Sequence, residues 1–215
     1  MVNIATRHVF TPHPQVMVAF TGLEGDVQSL SQDLLTEVSA KLGRSLGFSL
    51  TGTTTTTTTS SKDDSSEISP RAMAVLTSHI LYHRRRAPYY VQPLVVGLSK
   101  STAAIRRQVP VEDDHQSTGP MDDDFVYVPF LCAMDMIGAK SFSESFVCSG
   151  AATKSLYGTA EALWRPNLEP EELAEVCGKA FQSALERDCL SGYGAIIYLI
   201  TKDEITEYEL ASRND

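Results

Sequence analysis

The sequence predicts an α+β domain in which antiparallel sheets stack face to face, with a pair of helices on each outer side. Two observations carry this expectation. Helical and strand-like segments come in pairs along the chain, which argues against alternating strand–helix–strand units. Ala195 to Ile200 is an apolar run without alternation, the pattern of a strand covered on both faces. With 215 residues the chain suits a single domain, 1–215, with polar insertions at about 49–68 and 100–124.

The elements follow in order. Val16 to Phe20 is a short apolar run ended by Thr21-Gly22, and reads as a buried strand. Val27, Leu30, Leu34, Val38 and Leu42 then recur at helical spacing, with Asp26 as the expected N-cap and Gly43 or Gly47 as the stop. The threonine-rich stretch from Thr51 to Glu67 has no apolar face and reads as a mobile surface loop. Ser69-Pro70 opens a second helix, a cap residue followed by proline at the first helical position. Met73, Leu76, Ile80 and Leu81 mark its buried side, and Arg84, Arg85 and Arg86 load its C-terminal end, where cations complement the helix dipole.

Pro93 to Leu98 is the next strand, and the acidic stretch Ser99 to Asp124 reads as the loop of a hairpin. Phe125 to Met136 and Phe142 to Cys148 are strand-like. Ala151 to Trp164 is helical, with Leu156, Tyr157, Ala160, Leu163 and Trp164 on one side. Pro170-Glu171-Glu172 starts a further helix with the stripe Leu173, Val176, Cys177, Ala180, Phe181, Ala184 and Leu185. Ala195 to Ile200 and Ile205 to Leu210 close the chain as a hairpin turned at Asp203-Glu204.

Composition narrows the function. The net charge of −9 and pI of about 5.0 argue against phosphate backbones and anionic lipid as partners. No apolar run approaches the roughly 20 residues of a membrane span. His8, Pro12, His13 and Pro14 interrupt any leader pattern, so an intracellular protein is expected. Cys132, Cys148, Cys177 and Cys189 show no CxxC spacing and read as reduced, structural thiols.

Local motifs point to no chemistry. Ser191 in Cys-Leu-Ser-Gly-Tyr-Gly does not fit the GxSxG elbow, and Ser149 in Cys-Ser-Gly is equally weak. His79 and His83 stand four apart on a helix, without the glutamate of HExxH or a nearby third ligand. The acidic stretch lacks the alternating oxygens and central glycine of a calcium loop. No glycine-rich phosphate loop occurs, and no metal or cofactor is expected.

The segments combine into a family pattern. Ala19-Phe20-Thr21-Gly22-Leu23-Glu24-Gly25-Asp26, followed by an amphipathic helix, resembles the strand-to-helix junction of proteasome subunits. Tyr82 to Pro93, followed by Val-Val-Gly-Leu, is similar to the end of the second helix in the beta class. Ser149-Gly150 with Tyr157-Gly158 and Leu163-Trp164, and Asp188-Cys189-Leu190-Ser191-Gly192-Tyr193-Gly194, resemble later junctions of the family. The stretches Pro129 to Gly138 and Trp164 to Leu168 look most like beta type-3 subunits.

The resemblance implies a four-layer αββα sandwich, the N-terminal nucleophile hydrolase fold. In active members an N-terminal threonine is the nucleophile and its own amine the base, supported by an early lysine and aspartate. The resemblance starts inside that pattern, so the first strand pair and those residues have no counterpart, and the chain is expected to be N-terminally truncated. Ser149, Asp188 and Ser191 match late positions that assist the nucleophile. Here they are expected to be structural remnants, with Gly192 permitting a tight turn.

Type-3 subunits, as the resemblance implies, are non-catalytic parts of the beta ring in ubiquitin- and ATP-dependent protein degradation, in cytoplasm and nucleus. Their partners would be beta subunits of types 2 and 4, alpha-ring subunits and the opposite beta ring. Asp135 and Cys132 match the strand that reaches the type-2 neighbour's substrate pocket, where a carboxylate would meet a basic side chain; the alternative for Asp135 is that it only caps a turn before Gly138. The alternative is an active threonine peptidase subunit whose N-terminal segment is missing from this sequence.

Overall fold

The computed structural model describes residues 8–45, 68–101, 126–189, 194–202 and 204–210. The threonine-rich segment, nearly all of the acidic one, and Ser191, Gly192 and Asp203 lie outside the described residues. The first sheet has the order β1-β2-β3-β4-β5, every neighbouring pair antiparallel. Its strands are β1 (Val9–His13), β2 (Val16–Gly22), β3 (Val91–Ser101), β4 (Val126–Met134) and β5 (Lys140–Ser143). Helices α1 (Glu24–Ser45) and α2 (Pro70–His83) connect β2 to β3. After β5 come α3 (Thr153–Leu163), α4 (Pro170–Leu185) and a separate two-stranded sheet of β6 (Ala195–Ile200) and β7 (Ile205–Leu210).

One face of the first sheet makes the core. Val16, Val18 and Phe20 of β2, Val91 and Val95 of β3, and Cys132 and Met134 of β4 pack against α1 and α2. The helices contribute Val27, Leu30, Leu34 and Val38, and Met73, Ala74, Leu76 and Leu81, with Ile80 partly buried against them; these expected positions lie inward, and the Leu42 side chain lies outside the described residues. Each fully buried Leu or Val here contributes about 1.5–3 kcal/mol of transfer free energy. Ser69 caps α2: its hydroxyl accepts from the Ala72 N–H at 3.2 Å, and Pro70 takes the first helical position. Ser69→Ala is expected to cost about 1 kcal/mol, read as a fall in the urea unfolding midpoint.

The opposite face of the sheet is also apolar. By register Met17, Ala19, Leu94, Val96 and Leu131 share it. Only Met17 among these is buried, and the others are half-buried. The turn after β6 meets this sheet where the Gln15 side-chain amide donates to the Lys202 carbonyl at 3.0 Å. The Lys202 ammonium lies 5.7 Å from the centre of the Tyr127 ring. Helix α4 sits on β6–β7 at Gly178, where an added Cβ would meet Ile197 at 3.2 Å. Thr159 of α3 donates to the Ala180 carbonyl of α4 at 3.0 Å, which ties the second helix pair together.

Several boundaries and burials differ from expectation. A further strand, β1, precedes the first one expected. Asp26 is not the N-cap, because α1 starts at Glu24, and the helix runs on through Gly43. The strand expected over Phe142 to Cys148 is instead Lys140–Ser143; the Ser143 hydroxyl accepts from the Ser145 N–H at 3.3 Å and turns the chain away. No residue of α3 is buried, and Leu173 of α4 is 43% exposed. Strand β6 is not covered on both faces: its residues are half-buried and Ile196 is 40% exposed.

Candidate functional site

The junction from β2 to α1 is held by the loop before β3. Gly22 has φ +136°, and a Cβ there would lie 2.1 Å from the Tyr90 carbonyl oxygen. Only glycine allows that approach. The Leu23 N–H donates to the same carbonyl at 2.9 Å, and the Asp26 carboxylate accepts from the Tyr90 N–H at 2.8 Å. Two turns further along α1, Asp33 accepts from the Tyr89 hydroxyl at 3.0 Å and faces Arg84 at 3.5 Å. The Arg84 guanidinium lies 4.5 Å from the centre of the Tyr89 ring. The Tyr-Tyr and Arg-rich segment therefore earns its place in the sequence by clamping α1.

Burial, followed by the bond to Asp33, raises the Tyr89 hydroxyl above its ordinary value near 10. The folded state thus holds this proton more tightly than the unfolded chain. The corresponding stability is complete below the unfolded value and disappears as pH rises through the folded one. Tyr89→Phe is expected to lose about 1 kcal/mol at neutral pH and to remove this residue's share of the alkaline decline. Urea midpoints measured on both sides of pH ~10 check this.

At the end of β2 three side chains meet on the sheet face turned away from α1 and α2. The Thr21 hydroxyl donates to the Gln92 carbonyl at 3.0 Å and lies 2.8 Å from the Ser149 hydroxyl. Ser149 is also 3.4 Å from the Gln92 side-chain oxygen. With the Thr21 proton on a backbone carbonyl, Ser149 is left to donate. These bonds tie β2 and β3 to the segment that precedes α3.

The β4–β5 turn is built by Asp135. Its Oδ1 accepts from the N–H groups of Ile137 at 2.9 Å and Ala139 at 2.7 Å. The Asp135 carbonyl accepts from the Gly138 N–H at 3.1 Å. This leaves Oδ2 without a partner among the described residues, on an exposed side chain. Gly138 has φ +86°, and a Cβ there would lie 2.5 Å from the Ser78 carbonyl oxygen of α2. The Ser78 hydroxyl donates to the Gly138 carbonyl at 2.6 Å and accepts from the Lys140 ammonium at 3.0 Å. The turn is therefore pinned to α2 by Ser78.

Cys132 requires a correction. It is fully buried in the core beneath the helices, and burial raises its thiol above the ordinary range. It has no surface with which to line a neighbour's pocket, because β4 alternation turns it inward. Asp188 is half-buried just after α4, while Ser191 and Gly192 lie outside the described residues, so the remnant positions are not seen together. His79 and His83 are exposed on α2, and among the described residues no group of three or more His, Cys, Asp or Glu is placed to hold a metal. Thr21, Gln92, Ser78 and Lys140 escaped sequence reasoning. Their partners stand 57 to 128 positions away, and isolated serines and threonines carry no periodic signal.

Comparison with known proteins gives consistent results. The proteasome subunit family pattern matches residues 122–200. The chain is 34% identical over 209 residues to a proteasome subunit beta type-3 of Oryza sativa subsp. japonica, covering 97% of this chain and 81% of that protein. It is 36% identical over 203 residues to a beta type-3-A subunit of Arabidopsis thaliana, covering 94% and 78%. It is 30% identical over 209 residues to a Drosophila melanogaster beta type-3 subunit, covering 97% and 81%.

Proposed function

Since the chain belongs to the proteasome subunit family, among its beta type-3 members, we propose that it is a non-catalytic building block of the core particle's beta ring. The observation that carries this reading is likeness to beta type-3 subunits along almost the whole chain. We assign the four-layer αββα architecture. It is supported by α1 and α2 on one face of the first sheet and by α4 packed on β6–β7.

In this reading the exposed apolar residues Tyr157, Leu163, Trp164 and Leu173 of the second helix pair face other subunits. The ring neighbours are subunits of types 2 and 4, and the particle works in cytoplasm and nucleus. Asp135 presents Oδ2 to the type-2 neighbour's pocket, which takes basic side chains.

The test is to tag the chain in its source cells and isolate it under non-denaturing conditions. Co-elution with other proteasome subunits in a particle of several hundred kilodaltons, with no processed N-terminal threonine on this chain, is the expected result. A processed threonine would make the subunit catalytic, and a small free monomer would overturn the assembly reading.

A further inference from the structure

We propose that Ser78 keeps Lys140 away from Asp135, so that the Asp135 carboxylate stays open to a cationic side chain of the substrate. The inference rests on the pocket reading of Asp135 given above. Lys140 directly follows the turn that Asp135 organises, and its Cα pairs with that of Met134, the residue before Asp135. An ammonium on so long and flexible a stem, left free beside an exposed carboxylate, pairs with it. Here it does not: the ammonium donates to the Ser78 hydroxyl at 3.0 Å. Ser78 can accept that bond because its own proton is committed to the Gly138 carbonyl at 2.6 Å. Asp135 meanwhile spends only Oδ1 on the turn, through the Ile137 and Ala139 N–H groups. Ser78 thus has two tasks. It fixes the turn to α2, and it parks the one cation of the turn on the side facing the helix. Ser78 and Lys140 are positioning residues, and the substrate would meet only Asp135.

The experiment uses assembled core particles carrying Asp135→Asn, Ser78→Ala, Lys140→Gln or the Ser78→Ala/Lys140→Gln pair in this chain. Native mass is recorded, with kcat and KM for peptides cleaved after arginine, after an apolar residue and after an acidic one. Asp135→Asn is expected to raise KM for the arginine peptide at least about tenfold, the loss of a charge-assisted bond. Ser78→Ala is expected to raise that KM about threefold, the competition of an exposed ion pair, with kcat and the other two cleavages unchanged. The double variant is expected to return to the starting KM although its turn lacks Ser78, because no cation remains to compete. Lys140→Gln alone is expected not to raise KM. If Asp135→Asn raises KM but Ser78→Ala does not, or the double variant fails to restore it, the inference is overturned and the pocket reading stands. If all three cleavages fall together, Ser78 acts on assembly and the inference is overturned. If Asp135→Asn leaves KM unchanged, the pocket reading falls and takes the inference with it.

Discussion

Gly22→Ala is expected to cost about 3–5 kcal/mol, enough to leave most of the chain unfolded at modest urea concentrations. Two penalties add at this position. Backbone at φ +136° is a conformation that alanine rarely adopts, and the new methyl would sit 2.1 Å from the Tyr90 oxygen. That oxygen belongs to backbone held by the Leu23 N–H, so it cannot yield without loss of the bond. The same shift would carry Tyr90 away from Asp26 and uncouple the start of α1 from β3. A small domain is stable by only about 5–15 kcal/mol, so the variant should show a much lower midpoint and poor soluble yield. An unfolding midpoint within the error of the starting protein would mean that the junction is not held as described.

Leu34→Ala is the second large effect, with an expected loss of about 2–5 kcal/mol. Leu34 is fully buried, in the layer between α1 and the first sheet. Its removal leaves a cavity walled by side chains from two helices and a sheet, which cannot all close in. Leu173→Ala is the matched control. It deletes the same atoms from a side chain that is 43% exposed, and should change the unfolding midpoint by about 0.5 kcal/mol or less. Equal effects at the two positions would contradict the placement of the core.

The parts of the fold readable in the sequence are those set by neighbours in the chain. Ser69-Pro70 announces α2 because capping is decided within four residues, and the stripe Val27, Leu30, Leu34 and Val38 faces the sheet as its spacing requires. Asp26 misled because an acid before an apolar stripe resembles a cap, whereas its carboxylate serves Tyr90, distant in sequence. Strand β1 was hidden by Pro12, which a strand tolerates here because β1 lies at the sheet's edge. Pro93 and Pro129 lie in interior strands for a related reason. The β3–β4 ladder starts at Leu94 and the β4–β5 ladder stops at Leu131, so each proline has one side without a pairing strand. The turn that Asp135 caps before Gly138 is legible in the sequence, because its bonds close within four residues; the burial of Cys132 is not, because strand alternation decides which side chain reaches the surface. The Ser78–Lys140 contact joins a helix to a hairpin and leaves no mark in either segment alone.

The two-stranded sheet of β6 and β7 has a consequence for the turnover of the protein. Among the described residues each strand has one neighbour and its other edge unpaired, and most of the ribbon is half-buried at best. An isolated hairpin is marginal in water, and an open edge invites pairing with any extended peptide. An orphan copy should therefore open at 195–210 by local fluctuation long before α1 and α2 leave the first sheet, and proteases should cut it there first. Copies in which a partner covers that ribbon would be spared. The amount of this chain in a cell would then follow the supply of its partners more closely than the rate of its own synthesis.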